Sequence, residues 1–150
     1  MLKRFKVPLK DRVRVPEESL RRTVAAIFEK MGVAPEDAGL GADTLVMADL
    51  RGVETHGVSD MMRGYVSLYR SGALNPRPNW RVVRETPGTA TIDADGGLSV
   101  ILGPKFMAIA VEKARDVGVG MVTVRNAGHS GPIGHHAMVA AKADMVGVAM

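Results

Sequence analysis

Three of the four histidines in the 150-residue chain fall within one glycine-rich segment, RNAGHSGPIGHH (125–136). An imidazole can act as a general base near neutral pH, bind a metal ion, or pack in a core. His129 stands three residues before Pro132, a residue type favoured at the first position of a helix. An imidazole just outside the N-terminus of a helix has a lowered pKa, which favours the neutral base. His129 is therefore the candidate general base.

The other two histidines of the segment, His135 and His136, are less suited to chemistry. Adjacent residues of a helix point about 100° apart, so the two rings cannot readily converge on one ion with His129. No carboxylate stands at metal-ligand spacing, and the chain has no cysteine. We predict packing or solvent-facing roles for both residues and no metal site.

A second cluster, RGVETHG (51–57), places a hydroxyl and an imidazole directly before a predicted helix. Because the N-terminus of a helix favours negative charge, Thr55 and His56 can be offered there to a small anionic ligand. The alternative is a capped turn between two helices, in which the histidine is simply solvated.

The elements that must position these residues follow from hydrophobic spacing. Helices are predicted over 17–32, from Pro35 to about Leu50, and over 59–72 with Ser59 as N-cap. β-Branched runs around Thr86-Pro87-Gly88 predict a hairpin. A helix from Pro104, a strand over 119–126, a helix from Pro132 to Asp144 and a final apolar strand over 145–150 complete the pattern.

The order of the strand over 119–126, the histidine loop, the helix from Pro132 and the strand over 145–150 predicts a right-handed βαβ unit with parallel strands. His129 then lies at the carboxyl end of a parallel strand, where open α/β sheets bind ligands. The predicted fold class is α/β, with an N-terminal helical segment followed by a mixed sheet. Because the chain stops within an apolar run, we expect it to be part of a longer protein.

Composition narrows the classes of function. Without cysteine, the chain has no disulfides, thiolate metal sites or cysteine nucleophiles. No apolar run is long enough to span a bilayer and no signal peptide is recognisable, so we expect a soluble cytoplasmic protein without a membrane partner. Residues 1–14 carry a net charge of +5, and the rest of the chain carries −1, which gives the total of +4. A basic arm before a near-neutral body is weak evidence for nucleic-acid binding, and we predict none.

The two common nucleotide-binding fingerprints, G-x-G-x-x-G and the phosphate loop, are absent from the sequence. GHSG is one residue too short for the G-x-S-x-G nucleophile elbow of hydrolases. The residues by themselves therefore indicate an α/β ligand-binding domain without naming its ligand.

Four segments in order resemble the type-2 malate/L-lactate dehydrogenase family, which also contains ureidoglycolate and sulfolactate dehydrogenases. They are ADLRGVETHGV (48–58), RGYVSLYRSGALNP (63–76), DADGGLS (93–99) and RNAGHSGPIGHHAMVAAKADMVGVAM (125–150). The resemblance runs from about Glu17 to the end of the chain. It implies a nucleotide-binding fold that is not of the Rossmann type, in agreement with the missing fingerprint.

The resemblance also implies an NAD(P)-dependent enzyme that transfers a hydride between NAD or NADP and a small 2-hydroxy or 2-oxo acid. His129 occupies the place of the family's catalytic histidine, and His129, Ser130 and Gly131 are expected to contact the cofactor. Family members carry Ser-His-Gly where this chain has Thr55-His56-Gly57, so both Thr55 and His56 are expected to contact substrate.

One position departs from the family pattern. Many members place an arginine four residues after the His-Gly histidine, where a guanidinium can bind the substrate carboxylate. Asp60 stands there in this chain, and Arg63 follows three residues later. We predict that Arg63 binds the carboxylate instead.

The domain organisation expected from these observations is a basic arm over 1–16, a helical substrate-side segment over 17–78, and the first part of the α/β cofactor-binding domain over 79–150. The family resemblance implies a homodimer. Two alternatives to the dehydrogenase stay open: a metal-dependent hydrolase or isomerase that uses the histidine cluster, and a non-catalytic truncated binding module.

Overall fold

A computed structural model describes residues 8–150 of the chain. The predicted basic arm falls partly outside this range, because residues 1–7 are not described. From residue 8 to residue 16 the only regular element is a short 3-10 helix, Leu9–Asp11. Within the described residues, no helix combines the length and apolar character that a membrane crossing needs.

Three helices make up the first half of the structure, as the hydrophobic spacing predicts. They are α1 (Glu17–Lys30), α2 (Pro35–Leu50) and α3 (Val58–Arg70). Pro35 begins α2 at a position where its missing N–H would have no helical partner. Helix α1 ends before Gly32, which adopts a φ of 94°. Helix α2 is the central one, since it packs against both α1 and the later helix α4.

The second half contains a three-stranded mixed sheet in the order β1-β2-β3. Strands β1 (Arg81–Glu85) and β2 (Thr89–Asp93) form the predicted antiparallel hairpin. Strand β3 (Met121–Arg125) pairs with β2 in parallel, and helix α4 connects the two strands. The predicted mixed sheet with a parallel βαβ unit is confirmed, but the unit is formed by β2, α4 and β3 and not by the strands over 119–126 and 145–150 from which it was predicted.

Helix α4 (Ser99–Val117) begins five residues earlier than predicted. Pro104, expected at its first position, lies inside the helix instead. The first turn forms because Leu98, Val100 and Leu102 are almost fully buried there, at 0–1% exposure. Tertiary packing thus outweighs the backbone hydrogen bond that a proline removes from a helix.

Helix α5 (Ile133–Ala141) follows Pro132, which stands at its N-cap, and ends before the predicted Asp144. The strand predicted over 145–150 is wrong, because these residues have no regular secondary structure. Gly147 lies against the carbonyl oxygen of Ala137 in α5, and the segment pairs with no strand among the described residues. A short apolar run forms a strand only where another strand is available to satisfy its backbone hydrogen bonds.

The hydrophobic core is shared by the helical half and the sheet half. Phe28 of α1, Leu45 of α2 and Ile92 of β2 are each fully buried within one cluster. The predicted segments 17–78 and 79–150 therefore pack against each other around this core, and their division into two domains stays a prediction.

Candidate active site

The histidine loop lies between β3 and α5, at the carboxyl end of a parallel strand, as predicted. Backbone hydrogen bonds tie it to the loop that follows β2. The Gly96 amide donates to the Asn126 carbonyl at 2.8 Å, and the Gly128 amide donates to the Gly97 carbonyl at 2.8 Å. The loop is therefore held on the neighbouring strand connection before it reaches His129.

His129 is exposed to solvent, and its ring is held by two neighbours. The Tyr65 hydroxyl lies 2.8 Å from Nδ1 of His129. The His56 ring stacks on the His129 ring, with centroids 5.7 Å apart and planes inclined by 23°. Nδ1 is thus occupied by a hydroxyl, whereas no hydrogen bond from Nε2 to any residue of 8–150 is formed.

The pKa of His129 is lowered from its ordinary value. Partial burial is the main cause, and the nearby His56 is the second. This direction agrees with the expectation of a neutral base, and the causes found here are desolvation and a like charge. A neutral imidazole with one nitrogen held can accept a proton near neutral pH.

His56 reaches this position from a tight turn between α2 and α3. Residues Glu54–His56 form one turn of 3-10 helix, and both Thr55 and His56 are partly buried. The Thr55 hydroxyl lies 3.0 Å from Nδ1 of His56. Both imidazoles of the site therefore have Nδ1 paired with a hydroxyl.

The turn is anchored by Asp49, near the end of α2. Its Oδ2 accepts a hydrogen bond of 2.9 Å from the Val58 amide, the first residue of α3. The N-cap of α3 is Gly57 and not the predicted Ser59. A side chain at Gly57 would overlap the Asp49 carboxylate, so the close approach requires glycine at this position. Burial raises the pKa of Asp49, and the neighbouring charge of Glu54 acts in the same direction.

Arg63 is not brought to the imidazoles. It lies on the exposed side of α3 and forms no hydrogen bond or ion pair within residues 8–150. Two residues separate it from the buried Tyr65, which corresponds to about 200° around the helix axis. The predicted role of Arg63 in binding a carboxylate stays a prediction.

The two residues after His129 pack against protein. Ser130 is partly buried and accepts a hydrogen bond at its carbonyl from the His136 ring, with an N–O distance of 2.8 Å. Gly131 is buried and has a φ of 66°, a backbone conformation that favours glycine. A Cβ there would lie 2.7 Å from Cγ2 of Val100. Neither contact tests the predicted cofactor role of the two residues.

His135 and His136 point in different directions from α5. Nε2 of His135 lies 3.5 Å from the Asp43 carboxylate of α2, and His136 is buried against α4. Their ring planes are inclined by 79°. Within residues 8–150, no three His, Asp or Glu side chains are grouped so that they can hold a metal ion.

Tyr65 is the main residue of the site that the sequence did not predict. Its spacing with Met61 and Tyr69 indicates a core-facing position, and at 3% exposure the residue is indeed buried. Burial raises the pKa of its hydroxyl to about 12, so the group stays protonated. No local pattern could reveal a hydrogen bond to a residue 64 positions away.

Comparisons with known proteins agree with the arrangement. The family model of malate/L-lactate dehydrogenase matches residues 15–150. Malate dehydrogenase of Pyrococcus horikoshii is 46% identical over 138 residues, covering 92% of this chain and 38% of that protein. L-sulfolactate dehydrogenase of Methanocaldococcus jannaschii is 40% identical over 131 residues, covering 87% of this chain and 38% of that protein.

A solved structure gives the same result at the level of the fold. Malate dehydrogenase from Pyrococcus horikoshii superposes with a TM-score of 0.84 over 87% of this chain and 37% of that one, at 46% identity. The chain thus spans less than two fifths of the length of the relatives it matches. The chain belongs to the malate/L-lactate dehydrogenase family.

Proposed function

We propose that the full-length protein is an oxidoreductase that transfers a hydride between NAD or NADP and a small 2-hydroxy or 2-oxo acid. The observation that carries the proposal is the exposed imidazole of His129, with Nδ1 bound to Tyr65 and its ring stacked on His56. Family membership supports the substrate class, since the relatives compared above are named malate and L-sulfolactate dehydrogenases.

His129 is the proposed catalytic base. When the Tyr65 hydroxyl accepts a hydrogen bond from Nδ1–H, Nε2 has a free lone pair that can take the hydroxyl proton of the substrate. The carbon–hydrogen bond breaks in the same step, its electron pair leaves with the hydride, and a carbonyl forms. In the reduction direction, the protonated His129 returns the proton to the alkoxide oxygen.

Thr55 and His56 are the proposed substrate contacts beside the base. If the Thr55 hydroxyl donates to Nδ1 of His56, the proton of the neutral imidazole lies on Nε2. That N–H can donate to the carboxylate or the reacting oxygen of an acid. Because the His56 and His129 rings stack with centroids 5.7 Å apart, such a donor would lie beside the proposed base.

The nicotinamide cofactor supplies the hydride acceptor when it is bound. The donor set of the described residues fits the reacting end of such a cofactor, because an exposed base stands at the carboxyl end of a parallel strand. Ser130 and Gly131, which adjoin this base, are the proposed contacts. We further propose that residues 79–150 belong to the cofactor-binding domain, that residues 17–78 form its substrate side, and that the protein is a homodimer.

The decisive experiment measures NAD(P)H formation by the full-length protein with malate, lactate and sulfolactate, and NAD(P)H consumption with the matching 2-oxo acids. His129→Asn is expected to lower kcat by about 100-fold or more, because it removes the base while leaving binding largely intact. His135→Asn is the matched control and keeps its activity. Wild-type-like turnover in His129→Asn would exclude His129 as the base.

Arg63 is proposed to bind the substrate carboxylate, and this role rests on the sequence: it is the only Lys or Arg from His56 to Tyr65. Arg63→Lys keeps the charge but loses the paired guanidinium N–H groups. We expect it to raise KM for the acid severalfold, and Arg70→Lys on the same helix to leave KM unchanged. An unchanged KM in Arg63→Lys would remove the residue from the site.

A further inference from the structure

His136 is buried between α5 and α4. The residue is only 6% exposed, although histidine is on average intermediate in burial. Its ring lies on the α4 backbone at Gly103, where a Cβ would stand only 2.5 Å from Cε1 of the imidazole. The absence of a side chain at Gly103 is therefore what admits the ring.

In this buried position, the ring makes one directed polar contact. Nε2 of His136 lies 2.8 Å from the carbonyl oxygen of Ser130. A carbonyl oxygen can only accept, so Nε2 carries the hydrogen and donates it. Nδ1 is buried and has no hydrogen-bond partner within residues 8–150, and burial lowers the pKa of the ring. Both observations describe a neutral imidazole with its proton on Nε2.

The accepting carbonyl belongs to the residue directly after His129. On one side of it, the His129 carbonyl accepts a hydrogen bond of 3.2 Å from the Val100 amide. On the other side, Gly131 turns the chain with a φ of 66°. No other hydrogen bond reaches the Ser130 carbonyl from residues 8–150. The contact from His136 thus fixes the peptide plane that follows the proposed base.

We propose that His136 is a positioning residue for catalysis: by donating from Nε2 to the Ser130 carbonyl, it holds the backbone that presents His129. The inference rests on the proposed function and assigns a role beyond packing to a residue that does not touch the substrate. Small displacements of a catalytic group lower the rate strongly, since about 1 Å can cost 100-fold. Loss of this hydrogen bond should therefore lower kcat.

The test compares two substitutions in the full-length protein. In His136→Gln the side-chain amide keeps a donor at a reach similar to that of Nε2, whereas His136→Leu fills similar space without a donor. We expect His136→Leu to lower kcat by about 10- to 100-fold with a smaller change in KM for the acid. His136→Gln should stay within about threefold of the wild type. A merely structural role predicts equal losses in both variants, and that result would overturn the proposal, as would full activity in His136→Leu.

A second variant, Gly103→Ala in α4, tests the same hydrogen bond between His136 and Ser130. Gly103→Ala is expected to lower kcat in the wild type, because the added methyl displaces the imidazole. In the His136→Ala background the methyl has room, so Gly103→Ala should cause no further loss there. Equal effects of Gly103→Ala in both backgrounds would contradict the inference.

Amide hydrogen exchange separates this inference from the proposed function. We expect residues 128–131 to exchange faster in His136→Leu than in His136→Gln, whatever reaction the protein catalyses. If the wild type turns over no 2-hydroxy acid, the proposed function fails while the exchange result still decides whether His136 holds the loop. Unchanged exchange in His136→Leu overturns the positioning role even in an active dehydrogenase.

Discussion

The pKa of His129, the proposed base, depends on its neighbours. Partial burial lowers the pKa of the ring, and the positive form of His56 lowers it further. A lower pKa keeps the imidazole unprotonated to lower pH, so oxidation of a hydroxy acid, which needs the neutral base, should persist below the ordinary range of histidine. The reverse reaction needs the protonated ring and should decline as pH rises through the same pKa.

His56→Gln is expected to shift the pH profile in a defined direction. The positive form of the His56 ring lowers the pKa of His129, so removal of that ring should raise this pKa and move the acidic limb of kcat/KM for hydroxy-acid oxidation to higher pH. The measurement is the position of this limb and not the height of the profile, since His56 is also a proposed substrate contact.

His135→Gln provides the control for this shift. It removes a histidine that contacts Asp43 in α2, and it should leave the acidic limb where it is in the wild type. An acidic limb that does not move in His56→Gln would show that the stacked ring has no electrostatic effect on the base.

At the residue scale, the sequence predicted the groups with recognisable chemistry and missed the groups that orient them. His129 and His56 stand out because imidazoles beside glycines at element boundaries are unusual, and the structure stacks their rings. Tyr65 acts through a contact with His129, 64 positions away, and Asp49 accepts a hydrogen bond from Val58 across the turn between α2 and α3. The Tyr65 contact follows from how α3 packs near the histidine loop, which spacing along the chain does not encode.

Among the elements, α3 has the most closely defined start. The Asp49 carboxylate accepts from its first amide, and Gly57 leaves room for that carboxylate. A cap of this kind typically contributes about 1 kcal/mol to stability. Because the same turn carries Thr55 and His56, the start of α3 also sets where these side chains lie.

Two glycine substitutions on this element should have opposite signs. Gly57→Ala is expected to lower the free energy of unfolding by about 1–3 kcal/mol, because its methyl group overlaps Asp49. Gly64→Ala, where a Cβ meets nothing within 4 Å, should raise it by about 0.5–1 kcal/mol through higher helix propensity. Denaturant unfolding of the full-length variants measures both changes.

The KM values of Gly57→Ala and Gly64→Ala test whether the start of α3 also positions the candidate active site. Gly57→Ala should also raise KM for the acid, whereas Gly64→Ala should keep KM at the wild-type value. Equal stability of the two variants would mean that the turn before α3 rearranges without cost, and would contradict the tight fit described here.

Most element types were predictable, but the start of α4 and the conformation of residues 145–150 were not. The five helices and the β1–β2 hairpin follow from hydrophobic period and turn residues, whereas the parallel partner of β3 is β2 and not the predicted strand over 145–150. The early start of α4 depends on burial of Leu98 to Leu102, which overrides the usual meaning of Pro104. The segment 145–150 has the composition of a strand but lacks a partner to pair with in the described chain.

Considered as a whole molecule, residues 8–150 leave apolar surface open around the sheet. Strand β3 pairs on one side only, with β2, and Met121 and Val124 on it are 55% and 41% exposed. Val146 and Val148 are exposed at 94% and 70%. An unpaired edge strand beside apolar side chains favours association with another chain.

The 150-residue chain expressed alone is therefore expected to self-associate, in contrast to the discrete dimer proposed for the full-length protein. Size-exclusion chromatography with light scattering distinguishes these states. Val124→Lys, which places a charge on the edge strand, should reduce association of the 150-residue chain. Val13→Lys near the start of the described chain is a control of the same chemistry and should not. A monodisperse monomer without any substitution would contradict the prediction.

The hydrogen bond between Tyr65 and His129 joins the helical half of the molecule to the sheet half. The proposed base is thus aligned only while these two halves stay docked on each other. Turnover then requires that the helical half and the sheet half be packed together, and secondary structure alone is not sufficient. Mild denaturant that separates the two halves would inactivate such an enzyme while its helices persist. In one denaturant titration, activity would therefore be lost at a lower concentration than the helical circular dichroism signal.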